Sequence, residues 1–367
     1  MLVVAVVILL LVVSVRMFLR HQRFGSEPSG ERLEKIQQSP NYREGKFHNL
    51  SFTPNFKEGV SGFTVMKDFF FNKSKNVKPS SPLPSIRTDL HHLDPVENVF
   101  VWFGHSSYFL QIDGKKILVD PVFSGHASPV TFTTRSFPGT NNTRVEDIPN
   151  VDYLFISHDH WDHLDYRTII KLKDKIGKVI TGLGVAAHLE KWGVDKNIII
   201  EKDWNELVDL GEGFKVYTTA SRHFSGRSFK RNITLWLSFV LITPTMKIFL
   251  GGDSGYDSHF REIGKEYGPF DLAILESGQY NEYWKYIHMM PEEVVQASID
   301  LKADKLLPVH WSKFSLALHA WDEPINRVIN EARKKGVTVV HPLIGEKVDL
   351  NNPHTSKEWW KEVSAEK

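Results

Sequence analysis

Three histidines and two aspartates crowd into six consecutive positions, His158-Asp159-His160-Trp161-Asp162-His163, directly behind the apolar run Tyr153-Leu154-Phe155-Ile156. Polar side chains this dense at the end of a strand sit in a loop at a sheet edge, where sites are commonly carried. Three imidazoles and a carboxylate in one short loop can supply ligands to two adjacent metals, since neutral imidazole and carboxylate are ordinary zinc ligands at about 2.0–2.2 Å. The plainer alternative, surface histidines on a polar loop, does not account for the density. The chain has no cysteine, which excludes disulfides, thiolate zinc sites and a cysteine nucleophile. Any metal must be held by histidine and carboxylate.

More such residues recur downstream. His223 comes shortly after Lys215-Val216-Tyr217, Asp253 follows Ile248-Phe249-Leu250-Gly251-Gly252, and His310 follows Leu306-Leu307-Pro308-Val309. Singly, each reads as a turn residue. Together with the first segment they form a set that one edge of the sheets can gather. Short β-rich runs recur from about residue 97, the first of them separated by Gly104 and by the hairpin signal Asp113-Gly114. Helical patterns are interspersed at 165–173, 186–192, 258–267, 291–301 and 324–335. Pro291 followed by two glutamates is a helix start. Strands with helices distributed among them imply a layered α/β domain.

The N-terminus has another texture. Leu2 to Val15 is apolar except for Ser14, and Arg16, Arg20 and Arg23 follow. About 20 apolar residues span a bilayer, so residues 1–20 are expected to form an uncleaved membrane helix with Arg16 snorkelling. By the positive-inside rule the main domain then lies on the cytoplasmic face. Residues 21–95 are polar and proline-rich and read as a stalk and irregular extension; the apolar islands at Phe52, Phe56, Phe63 and Phe69-Phe70-Phe71 imply that part of it packs on the core or touches lipid, core packing being the expected option. Residues 96–350 are expected to form the hydrolase domain, and 351–367 a polar C-terminal tail. The net charge of +1 provides no basic footprint, and no nucleic-acid partner is expected. A homodimer is left open.

The sequence His158, His160, Asp162, His163 resembles the His-x-His-x-Asp-His signature of the metallo-β-lactamase superfamily. Within that superfamily the chain is similar to N-acyl-phosphatidylethanolamine-hydrolysing phospholipase D and its bacterial relatives. The resembling stretches include Asp120-Pro121-Val122-Phe123, Arg231-Asn232-Ile233-Thr234-Leu235-Trp236, Gly252-Asp253-Ser254-Gly255-Tyr256 and Pro308-Val309-His310-Trp311, within about residues 97–349. The resemblance implies an αββα four-layer sandwich with a two-zinc site along one edge. It implies that His158, His160 and His223 hold one zinc, that Asp162, His163 and His310 hold the other, and that Asp253 bridges them. It also places an active-site histidine near His288, as proton donor or phosphate contact. His105, Asp120 and Asp165 are expected to support the ligands, and Arg222 and Arg227 are candidates to meet a phosphate, with surface solvation an equal alternative.

The expected reaction is hydrolysis of a phospholipid such as N-acyl-phosphatidylethanolamine to N-acylethanolamine and phosphatidic acid, by hydroxide activated between two zinc ions. Asp162, Asp253 and His288 are the expected catalytic residues. Two alternatives stay open: a related metallo-hydrolase acting on a soluble ester, lactone or phosphate ester, and a membrane-anchored protein that binds metal without catalysis. An N-terminal anchor is a departure from soluble or peripherally bound members, which puts their route of membrane attachment in doubt here.

Overall fold

In the computed structural model, which describes residues 1–353 and 357–365, the apolar N-terminal run forms one helix, α1 (Leu2–Leu19), with no buried residue. Its mean hydropathy is 3.0, and it is long and apolar enough to cross a membrane. The region expected as a stalk is more ordered than its prolines suggest. It contains α2 (Glu31–Gln37), a small hairpin of β1 (Tyr42–Arg43) and β2 (Lys46–Phe47), and α3 (Gly62–Phe71). Ile36, Phe47, Leu83 and Leu90 insert into the main domain and are fully buried. Arg32 pins α2 to Glu190 (2.5 Å) and Glu201 (2.7 Å). Core packing therefore falls to these four apolar anchors, spread over more than fifty residues with no periodic signal, and not to the expected islands, of which Phe52, Phe63, Phe70 and Phe71 are exposed.

The first large sheet is built from β3 (Val99–Trp102), β4 (Tyr108–Ile112), β5 (Lys115–Val119), β6 (Val151–Ile156), β7 (Ile176–Gly182) and β8 (Ile199–Lys202) in chain order. Asp113-Gly114 closes the β4–β5 hairpin, both residues with positive φ. From β5 onward neighbours are parallel, with α4 (Tyr166–Leu172) and α5 (Ala186–Lys191) as crossovers. The second sheet repeats the plan: β9 (Leu207–Gly211), β10 (Phe214–Thr219), β11 (Ser238–Ile242) and β12 (Lys247–Leu250) are antiparallel. β13 (Leu272–Glu276), β14 (Lys305–Val309) and β15 (Thr338–Val339) add in parallel, with α6 (His259–Glu266), α7 (Pro291–Asp300) and α8 (Glu323–Lys335) between them. β16 (Lys347–Asp349) returns to pair with β3.

The period-2 alternation of side chains sorts the layers. Phe100, Trp102, Leu110, Ile117, Val119 and Phe155 face the second sheet and share one core with Val216, Phe239 and Ile274. Val101, Phe109, Leu118, Leu154, Ile156 and Val179 point the other way, under Ile169, Leu172 and Leu189. Both faces are covered, so the strands read as continuous apolar runs rather than alternating ones. The result is the expected αββα sandwich.

The tail expected at 351–367 needs correction. It carries α9 (Trp359–Ala365), whose Trp359 and Trp360 are buried. Each indole lies 5.6 Å from the Trp311 ring, and Trp360 Nε1 donates to Asn326 Oδ1 (2.9 Å). Two adjacent tryptophans among charged residues form one apolar edge that a composition average hides.

Lys313 is buried and forms no salt bridge among the described residues, its Nζ donating to the carbonyls of Phe103 (3.1 Å) and Val122 (3.0 Å). Burial pushes its pKa down to about 7, from 10.5. Between those values the unfolded chain binds more protons than the folded one, so stability rises with pH through that window. The slope contributed by this one group is at most ~1.4 kcal/mol per pH unit. Lys313→Met is expected to remove that slope, read as the difference in melting temperature below and above the window. An unchanged slope would sink the assignment.

Candidate metal centre

The polar loop leaves β6 at Ile156 and is held first by Asp120, at the end of β5. Asp120 Oδ1 accepts from Ser157 N (2.8 Å), and Oδ2 accepts from Ser157 Oγ (2.6 Å) and His163 Nδ1 (2.8 Å). With its proton committed to Asp120, Ser157 Oγ accepts from His158 Nδ1 (2.9 Å). One carboxylate thus fixes the tautomers of two histidines and leaves both Nε2 atoms facing inward. His223 is set the same way, Nδ1 donating to Ile287 O (2.8 Å).

The seven expected ligands come together in two groups. His160 Nδ1 lies 2.8 Å from His158 Nε2 and 3.2 Å from His223 Nε2. His310 Nε2 lies 3.3 Å from Asp162 Oδ2, and His163 Nε2 lies 3.6 Å from the same oxygen. Asp253 Oδ2 stands between the groups, 3.2 Å from both His163 and His310 and 3.7 and 3.9 Å from His223 and His158. All are at least nine-tenths buried except His160. Each apolar run ends where the sheet ends, so the residue behind it falls on this edge.

Burial drives His158 and His223 well below the ordinary histidine pKa, reinforced by neighbouring imidazoles, and takes His160 down to about 4. Their rings are neutral and present lone pairs. For His163 and His310 burial acts in the same direction, but Asp253 and Asp162 outweigh it: His163 is held well above its ordinary value and His310 is pushed up to about 10. Two protons therefore compensate two buried carboxylates. His163 Nε2 and Asp253 Oδ1 are nonetheless buried without a hydrogen-bond partner. Divalent cations held by these donors would satisfy both atoms and displace the protons, so the donor set fits metal ions.

His105, Asp120 and His310 all adopt left-handed backbone, at φ 55°, 40° and 67°. Non-glycine residues there cost about 1–3 kcal/mol each and persist only where the surroundings over-determine them. Here the constraint is mutual: His310 N donates to His105 O (2.9 Å), and His105 N donates to Trp311 O (3.0 Å). His105 Nε2 meets Asp162 Oδ2 at 2.8 Å. Asp165 instead caps α4, accepting from Arg167 N (3.1 Å) and Thr168 Oγ1 (2.6 Å).

His288 lines the cleft, its ring 5.0 Å from His223 and stacked 5.2 Å from His310. Glu276, not singled out from sequence, lies behind both: its carboxylate is 3.5 Å from His288 Nδ1 and 3.6 Å from His310 Nδ1. Asp159 and His188 were likewise missed. Asp159 accepts from Gly226 N (2.7 Å), Thr234 Oγ1 (2.9 Å) and His188 Nε2 (3.1 Å), bracing the loop between two ligands.

Neither arginine expected to meet a phosphate is free. Arg227 is buried, donating to Asp159 O (2.8 Å), Leu164 O (2.6 Å) and Arg23 O (3.0 Å) and lying 3.9 Å over Trp161. Arg222 is tied to Thr53 Oγ1 (3.0 Å), Phe52 O (2.9 Å) and Tyr256 O (3.2 Å). The cation that borders the cleft is Arg231, exposed and 4.9 Å over the Phe224 ring. The cleft encloses about 380 Å³, with metal-ligand candidates on its floor and Phe56, Trp161, Trp284, Ile287 and Leu316 among its walls.

Asp120→Asn replaces one of two oxygens that accept three bonds. Loss of such an outer partner costs about 10–100-fold in metal affinity. That fall is the expected result of a chelator-buffered zinc titration, and undiminished affinity would contradict the orienting role.

Residues 115–311 match the family model described as a beta-lactamase superfamily domain. An uncharacterized protein of Mycobacterium tuberculosis is 39% identical over 331 residues, covering 89% of this chain and 88% of that protein. N-acyl-phosphatidylethanolamine-hydrolyzing phospholipase D 1 of Caenorhabditis elegans is 28% identical over 259 residues, covering 64% of this chain and 72% of that one. A metallo hydrolase from the archaeon Ignicoccus hospitalis superposes with a TM-score of 0.54 at 20% identity, over 69% of this chain and 98% of that one. Sheet plan, donor clusters and sequence agree: the chain belongs to the beta-lactamase superfamily and is a metal-dependent hydrolase of the metallo-β-lactamase fold.

Proposed function

We propose that this hydrolase is a membrane-anchored, zinc-dependent phosphodiesterase that cleaves N-acyl-phosphatidylethanolamine-type phospholipids to N-acylethanolamine and phosphatidic acid. The observation that carries the reading is the cleft, which joins a floor formed by His160, Asp162, His223, Asp253 and His310 of the clustered donors to aromatic and aliphatic walls. Such a site accepts a charged phosphodiester and the start of an apolar chain together. The relative from Caenorhabditis elegans, named for this substrate, adds support.

On this reading His158, His160 and His223 would hold one zinc and Asp162, His163 and His310 the other, with Asp253 available to both. When bound, the metals supply Lewis acidity and a water-derived nucleophile at neutral pH. The chain's own groups do the rest. Asp120 keeps His158 and His163 in the tautomer that presents Nε2. Arg231 offers a charged fork to a phosphoryl oxygen. His288, in the cleft wall, delivers a proton to the departing alcohol oxygen. α1 spans the bilayer, and the arginines behind it keep the domain on the cytoplasmic side.

The test is lipid mass spectrometry on vesicles containing N-acyl-phosphatidylethanolamine, incubated with the purified full chain with and without chelator, beside a panel of lactones and soluble esters. Chelator-sensitive release of N-acylethanolamine is the expected result. Intact lipid with lactone or soluble-ester turnover would overturn the lipid reading. Full metal content with no turnover of either would favour a binding role.

A further inference from the structure

Besides α1, a second helix leaves large apolar side chains uncovered. α3 starts at Ser61, whose hydroxyl accepts from Thr64 N (3.1 Å), and none of its residues is buried. Phe63, Met66, Phe70 and Phe71 are 71, 52, 73 and 80% exposed. Their spacing puts them on one side of the helix, and a contiguous exposed apolar patch marks an interaction surface. On the other side of the helix Asp68 accepts from the Tyr283 hydroxyl, and the chain flanking the helix is held to the domain by Lys57 N donating to Tyr283 O (2.7 Å) and Ser74 N donating to Leu318 O (2.9 Å).

These attachments lie at the rim of the cleft. Trp284 follows Tyr283 and Phe56 precedes α3, and both line the opening. Phe18 of α1 meets Phe24 edge-on at 5.1 Å, and Phe24 meets Trp161, another residue of the cleft wall, at 5.2 Å. Phe229, 85% exposed, projects between the cleft residues Ser228 and Arg231, and Phe52 is 87% exposed. Uncovered apolar groups from separate segments therefore surround one mouth. Charge adds a second argument: residues 57–78 contain Lys57, Lys67, Lys73, Lys75 and Lys78 against only Glu58 and Asp68. Apolar side chains among an excess of lysines suit an interface of acyl chains and anionic headgroups.

We infer that α3, with Phe52 and Phe229, lies flat on the bilayer that α1 crosses, so that the cleft opens into the headgroup layer. The inference rests on α1 as the membrane segment in the proposed function, and on no particular substrate. Its occupant is a lipid surface carrying anionic headgroups.

The absence of cysteine makes single-site labelling clean. Full-length Phe63→Cys, Phe70→Cys, Leu10→Cys and Lys335→Cys proteins, each with a nitroxide, are reconstituted in vesicles of phosphatidylcholine and phosphatidylglycerol. Collision rates with oxygen and with a water-soluble nickel chelate then give depth. Labels at 63 and 70 are expected to favour oxygen, as at 10, while 335 on the far end of α8 favours nickel. If 63 and 70 behave like 335 while 10 reads lipid, α3 does not dock and the inference fails alone. If 10 also reads water, the anchor reading fails and takes the inference with it. Labels at 63 and 70 that are immobilised equally in detergent, in proportion to protein concentration, would assign the face to a second copy and overturn it.

Discussion

Asp253→Asn is expected to lower hydrolysis on the order of 10³-fold and to reduce bound metal, without unfolding the sandwich. Oδ2 of Asp253 lies within 4 Å of four candidate ligands, at 3.2 Å from His163 and His310, 3.7 Å from His223 and 3.9 Å from His158. Its other oxygen is buried and unbonded. An asparagine keeps the shape but removes the charge that a pair of divalent ions shares. Metal-derived charge stabilisation is worth several kcal/mol, and each ~1.4 kcal/mol is tenfold in rate. The same substitution removes the anion that raises His163 and His310, so the metal-free protein loses part of its internal compensation as well. Elemental analysis, turnover and melting temperature measured on one preparation separate the effects. Retention of metal and of activity together would remove Asp253 from the shared position.

What the sequence made legible, and what it did not, follows from how each contact is encoded. The ligand candidates were readable because each stands at a fixed place, directly or shortly past an apolar run, and sheets align their strand ends. Helices such as α7 (Pro291–Asp300) and α8 (Glu323–Lys335) matched their expected ranges closely because proline, acids and period mark them. The bracing around the ligands was not readable. Asp159 depends on Thr234 and His188, 75 and 29 residues away, and no local pattern announces such a pairing. Arg222 and Arg227 show the opposite error. A positive charge near a site suggests a phosphate partner, yet both guanidinium groups are consumed by backbone carbonyls and the hydroxyl of Thr53. The apolar run 235–242 pairs as a strand only from Ser238, because the backbone amides of Leu235 and Leu237 donate to Leu183 O (2.8 Å) and Ser157 O (3.1 Å), toward the metal loop.

Gly25→Val is expected to weaken the metal centre from outside it. Gly25 joins the segment after α1 to the domain, with φ 72°, and a Cβ there would fall 2.0 Å from His188 Nδ1. The obstacle is a buried imidazole, stacked 6.1 Å from Trp192, with Ser26 N donating to its Nδ1 (3.1 Å) and Nε2 against Asp159. Moving that ring disturbs the brace between His158 and His160. Arg227 makes the link rigid by bonding Arg23 O on one side and Asp159 O on the other. A β-branched residue at positive φ costs about 1–3 kcal/mol, and overpacking a filled site costs a further ~1–3. Gly30 supplies the control, having φ 56° and nothing within 4 Å of a built Cβ. Gly30→Val therefore carries the backbone term alone. If the segment behind α1 braces the loop, Gly25→Val lowers both melting temperature and zinc affinity, whereas Gly30→Val lowers the first and leaves the second intact. Equal zinc affinity in the two variants would mean that the segment behind α1 only rests on the domain and does not hold the metal loop in place.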